Sequence, residues 1–243
     1  MSVRKSIGAA IAALGVTAPM QAQTIQSAAG TAYYAPSIGN FSTLGNNLFG
    51  MLVTGRFSDG QVYSANWGAL SGAQTGVSFA GRFSLTLGAN TNTFGNPFSL
   101  TVFGAGNTLQ SLTLSGASGP VVFDRSFGGA QGTVTSATGT DLAYYQSDNW
   151  TTLATYRNAV QLVGSSGPVG DLWETLILDF RTGLNGTNAG RLIRFSQDVD
   201  NVIDNGLLMP VPEPEMLLLT AVGLSMTFLV VRRRRRVEAM RAR

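Results

Sequence analysis

Asp198, Asp200, Asn201 and Asp204, in the run QDVDNVID, come nearest to a chemical site by residue type and spacing. Alternate carboxylates with an asparagine can wrap a hard cation such as calcium, which takes about six to eight oxygens. An EF-hand is excluded, because the sixth position from Asp198 is Ile203 rather than glycine and no glutamate closes the loop. The plainer reading, which the sequence favours, is an acidic, solvated junction between a strand and a turn. Glycoside hydrolysis would need two carboxylates flanking one bond. Glu174 is the one glutamate between Gln23 and Met209, with Asp171 and Asp179 close in sequence. On a strand Glu174 faces away from both, so the three do not converge, and Glu174 is expected as an exposed strand carboxylate. Trp67, Trp150 and Trp173, with Tyr33, Tyr34, Tyr63, Tyr144, Tyr145 and Tyr156, could stack on sugar rings. Tyr144-Tyr145 and Trp150, near Asp148, would make the first such platform, although core packing explains most of these rings equally well.

The composition removes whole classes of chemistry. The chain has no histidine and no cysteine. The usual general base, the Ser-His-Asp triad and zinc sites of the His/Cys type go with them. Stability cannot come from disulfides and must come from a core. The net charge of +3 and basic pI of 9.6 invite a nucleic-acid reading. Between Gln23 and Met209, however, seven arginines and no lysine stand against nine aspartates and one glutamate, a net charge of −3. The basicity lies at the two ends of the chain, so no nucleic-acid partner is expected. No cofactor is implied, and no enzymatic activity is expected.

The elements between those ends read as strands. The run 48–57, the Ser58-Asp59-Gly60 turn and the run 61–67 make a hairpin, the Asp-Gly pair suiting left-handed turn angles. Residues 77–87 place Val77, Phe79, Phe83, Leu85 and Leu87 on one face by alternation, which predicts one strand. Residues 97–103 repeat the pattern with Phe98, Leu100 and Val102. A Gly104-Ala105-Gly106 turn then leads into 109–116, with Leu112 and Leu114 inward. Residues 120–127 read as a more fully buried or edge strand, and 128–140 as a loop with one short strand. Residues 142–164 allow either strands or a helix capped at Asp148 or Asn149. Residues 171–180 and 190–204 supply the last strands, and 23–47 carries only weak signals. Strands every ten or so residues with glycine-rich turns predict an all-β fold, a β-sandwich of jelly-roll type.

The ends carry targeting signals. Arg4 and Lys5 precede a small-residue apolar stretch, Ile7 to Ala18, and cleavage after Ala22 would complete a signal peptide over 1–22. The exported domain is then 23–209, and 210–243 forms a tail. In that tail Val211, Pro212, Glu213 and Pro214 precede an apolar run, Met216–Val231, and five arginines, Arg232, Arg233, Arg234, Arg235 and Arg236. As a helix the run spans about 24 Å. It is short for the hydrocarbon core, but the arginines reach into head groups and lengthen the anchor. They also hold the C-terminus cytoplasmic, so the domain lies outside.

The order of these blocks resembles the PEP-CTERM sorting signal of Gram-negative bacteria, and the resemblance is confined to the tail. It implies that an exosortase, a membrane cysteine transpeptidase, recognises and removes the tail of an exported protein held transiently in the inner membrane. It further implies a cell-surface or extracellular-matrix destination in the company of exopolysaccharide and biofilm. A carbohydrate-binding or carbohydrate-active surface module, with a structural calcium at Asp198, Asp200, Asn201 and Asp204, is the alternative.

Overall fold

A computed structural model of the chain describes residues 23–39, 43–125, 139–145, 151–164, 171–203 and 207–211. The signal peptide, residues 212–214 of the sorting motif, the apolar span, the arginine cluster, Trp150 and Asp204 lie outside these residues. Apart from one 3₁₀ turn at Gly45–Leu48, all regular structure described is β. In chain order the strands are β1 (Gln23–Ala28), β2 (Tyr33–Ala35), β3 (Ile38–Gly39), β4 (Leu52–Phe57), β5 (Val62–Asn66) and β6 (Gly68–Ala69). Next come β7 (Gln74–Phe79), β8 (Phe83–Gly88), β9 (Phe98–Val102), β10 (Thr108–Ser115), β11 (Val121–Asp124) and β12 (Ala143–Tyr144). The last are β13 (Thr152–Leu162), β14 (Leu172–Asn185), β15 (Arg191–Ser196), β16 (Val199–Val202) and β17 (Met209–Pro210).

The strands form two sheets. The larger runs β17-β2-β13-β14-β10-β4-β5, with β1 added to β13 and with β11, β16 and β3 continuing from β14. The smaller runs β12-β15-β9-β8-β7-β6. Most pairs are antiparallel; β1 and β2 lie parallel to β13. Alternation puts the apolar set of each sheet on one face. Val53, Phe57, Leu112, Leu114, Leu176 and Leu178 from the larger sheet share one core with Phe83, Leu85, Phe98, Leu100, Ile193 and Phe195 from the smaller. The sheets approach closely at Gly55, where an added Cβ would sit 2.6 Å from the Phe83 ring. Any larger side chain there must displace the Phe83 ring.

One segment differs from the sequence-based expectation, and two that the sequence left open resolve as strand. Residues 77–87 are a hairpin rather than one strand: Phe79 pairs with Phe83 and Val77 with Leu85 around Gly81, at φ +70°. The loop has three residues, an odd number, so alternation continues through the turn unbroken and conceals it. Residues 23–47, weak in signal, contain β1, β2 and β3. Within the ambiguous stretch 142–164, residues 152–162 are strand: β13 carries Thr152, Ala154 and Tyr156 inward and Leu153, Thr155 and Arg157 outward. β11 is the buried strand expected near residue 120, lying between β14 and β16 with all four residues covered.

Candidate functional site

Asp198 and Asp200 are 7% and 3% exposed, so the solvated junction is not what forms. Gln197 to Asp200 lie against β11, where the Asp124 N–H donates to the Asp198 carbonyl at 3.0 Å. Burial, and then the charge of Asp200, push the Asp198 carboxyl up to about 7. Asn201 is committed to the fold: its Oδ1 accepts from the Thr43 hydroxyl at 2.9 Å, and its Nδ2 donates to the Asn47 carbonyl at 3.1 Å. Among the described residues, no three acidic side chains are grouped to hold a metal ion. Asp204 lies outside them.

Glu174 is buried, not exposed, at 1%. One carboxylate oxygen accepts from the Ser115 hydroxyl and from the Ala117 N–H at 3.0 Å. The other accepts from Asn158 Nδ2 at 2.7 Å and from the Thr175 hydroxyl. Asn158 reaches it from a left-handed backbone, φ +62°, a conformation asparagine tolerates better than most side chains. Glu174 is thus a four-donor cross-link joining β10, β13 and β14. Asp171 is buried as well, whereas Asp179 stands half-exposed on the outer face of β14, so the three carboxylates do not converge.

Of the aromatic platform, Tyr144 and Tyr145 do not share a face, and Trp150 lies outside the described residues. Trp67 is 2% exposed, packs edge-on against Phe98 at 5.8 Å, and donates its indole N–H to the Gly45 carbonyl. Tyr144 and Tyr145, being neighbours near β12, point to opposite sides. Tyr144 packs on Phe195, while Tyr145 is 53% exposed with its hydroxyl on the Gly95 carbonyl. Tyr156 is in the core, under the Arg125 guanidinium.

Of the sorting motif the structure places Val211. Its N–H donates to the Ala32 carbonyl at 2.7 Å, directly after β17 has paired with β2. Leu208 anchors this edge in a second apolar cluster with Ala35, Val160 and Leu172. Among the described residues no helix is long and apolar enough to cross a membrane.

Folding also redistributes charge in a way composition conceals. Asp124, Asp171, Glu174, Asp198 and Asp200 are buried. Asp59 and Asp141 are each held at 2.8 Å by Arg82 and Arg125. Among described acids, Asp179 alone remains, beside Arg181 at 3.7 Å. Arg56, Arg157 and Arg181 are exposed on the outer side of the larger sheet. Among the described residues, the outer side of the larger sheet therefore carries more exposed arginine than carboxylate, although the chain between Gln23 and Met209 is acidic by count.

On that face lies an open groove of about 590 Å³. Leu109 pairs with Leu184 and Ser111 with Asp179, so the single residue Gln110 of β10 faces four residues of β14, 180–183. The surplus bulges outward, as extra residues in a ladder do, and Gly183 takes a left-handed φ of +71° to allow it. On the other side of β10 the register slips by one, again at Gln110. The double irregularity opens a depression lined by Arg56 of β4, Thr108, Gln110 and Ser111 of β10, and Asp179 and Arg181 of β14. The strand expected over 171–180 stops short of this site, whose sequence signal is the Arg181-Thr182-Gly183 run just beyond. An all-β, two-sheet domain with a polar groove on one outer face is the class of protein defined here. No family model, curated protein or solved structure matches the chain.

Proposed function

We propose that this chain is a non-enzymatic exported protein of the cell surface or extracellular matrix, built on a β-sandwich of jelly-roll type. Residues 1–22 export it, Met216–Val231 hold it in the inner membrane, and an exosortase processes it at Val211, Pro212, Glu213 and Pro214. The domain then associates with exopolysaccharide. The observation that carries this reading is the order of blocks in the tail: Val211 to Pro214, an uncharged apolar run, then Arg232 to Arg236. The geometry of β17 supports it. Val211 is still tied to the sheet, and from Val211 to Met216 an extended chain reaches at most about 18 Å. The domain would sit close to the membrane, with the motif as the one stretch between folded protein and bilayer. Glu174, spent on four structural donors, is unsuited to act as a glycosidase acid, which favours binding over hydrolysis.

Replacing Pro212, Glu213 and Pro214 with alanine tests the sorting role in the native host. The variant should accumulate in the inner-membrane fraction while the wild type moves on to the surface or medium. Equal arrival of both at the surface, in the same processed form, would refute it.

A further inference from the structure

We propose that the groove between Arg56 and Arg181 binds an anionic, hydroxyl-rich polymer, a polysaccharide carrying carboxylate groups. The inference deepens the matrix reading above and rests on it for the setting in which such a polymer is met. Its physical basis is separate. Arg56 is exposed and its guanidinium has no hydrogen-bond or ion-pair partner among the described residues, although it projects from an interior strand of the sheet, between β10 and β5. Arg181 faces it across the groove, more than half exposed and only loosely engaged by Asp179. The strands bearing Arg56 and Asp179 are separated by β10, hence about 10 Å apart. A guanidinium on each of these two outer strands can take a carboxylate in bidentate fashion. Thr108, Gln110 and Ser111 supply hydroxyl and amide groups, and Asp179 supplies an acceptor for sugar hydroxyls.

The surface continues beyond the groove. In the next row across the same face, Ser64, Thr54, Thr113, Ile177, Thr155 and Gln26 lie side by side on adjacent strands. Arg157 stands one row further on, opposite Thr175. A chain leaving the groove would meet hydroxyls and then another cation. Nucleic acid fits less well. The one aromatic ring lining the groove, Phe180, is buried and leaves no platform for base stacking. Three guanidiniums spread over a face are also few beside the phosphate contacts of duplex binders.

The test is calorimetric titration of the full chain, held in detergent, with polygalacturonate oligomers at low salt. The same oligomers with methyl-esterified carboxyls, neutral dextran oligomers and a short DNA duplex complete the set. Polygalacturonate should bind and weaken as salt rises, while the esterified and neutral oligomers should not bind measurably. An Arg56→Gln, Arg181→Gln double variant should lose roughly tenfold or more in affinity. Arg194→Gln, on the other sheet, should bind as the wild type does. Both arginines of the double variant are exposed, so its melting temperature should match the wild type and exclude misfolding. Undiminished binding by the double variant, equal binding of dextran, no binding of polygalacturonate, or tighter binding of DNA would each overturn the proposal. Tail processing, read by mass, does not depend on these arginines, so failure here is distinguishable from failure of the sorting reading.

Discussion

Replacing Glu174 with alanine should cost the domain a large share of its stability without touching its surface. The carboxylate receives Ser115, Ala117 N–H, Asn158 and Thr175, and it is 1% exposed. A hydrogen bond to a charged group contributes about 1.5–3 kcal/mol, and a buried donor left without a partner costs about 1–3 kcal/mol. The hydroxyls of Ser115 and Thr175 can turn to other acceptors, and Asn158 is only half-buried. The loss therefore corresponds to about two of the four bonds, or about 3–6 kcal/mol. Against a total stability of about 5–15 kcal/mol this is severe. For a domain of this size it corresponds to a fall in Tm of about 6–24 °C. Glu174→Gln should be milder: it keeps one acceptor oxygen but turns an amide donor toward a donor already there. Thermal and urea unfolding by circular dichroism would measure both variants. A loss below about 1 kcal/mol for Glu174→Ala would show that the carboxylate is not the cross-link described.

Three further outcomes follow from other sites. Asp198, raised by burial from an ordinary 3.8 to about 7, binds a proton in the folded state at pH values where the unfolded chain has lost it. Its contribution is thus full below about pH 4 and is lost as pH rises toward 7; Asp198→Asn should flatten that slope in unfolding experiments across this range. Gly55→Ala places a methyl 2.6 Å from the Phe83 ring and must push the sheets apart, at about 1–3 kcal/mol, read as a lowered urea midpoint. Gly183→Ala combines a left-handed backbone with a clash against the Thr108 methyl. It should lower stability by about 1–2 kcal/mol and weaken polymer binding as well, whereas Gly60→Ala, in the open Asp59-Gly60 turn, should leave binding unchanged.

Alternation made the core legible. Phe83, Leu85, Leu87, Phe98, Leu100, Val102, Leu112 and Leu114 are all buried, as their period-two spacing predicts. The same rule hid the Gly81 hairpin, because a three-residue turn keeps the parity on which the rule depends. β1 was illegible for a different reason: QTIQSA has little apolar alternation and is held by parallel pairing to β13, a partner more than a hundred residues away. Charge failed most instructively. Counting acids and bases treats every carboxylate as solvated, yet among the described residues five acids are buried, and the outer side of the larger sheet is left with more exposed arginine than carboxylate. The groove depends on a register slip between β10 and β14, and register belongs to a pair of strands rather than to either sequence alone.

The central claim is that the chain is exported, trimmed at its tail and left at the surface. The intact mass of the protein recovered from the native host's surface, with and without the exosortase, tests it most directly. The expected mass lacks residues 1–22 and the residues beyond the Val211–Pro214 motif, with the tail kept when the exosortase is removed. A mass retaining Met216 to Arg243 in both strains would mean a permanent single-pass anchor and would contradict the account.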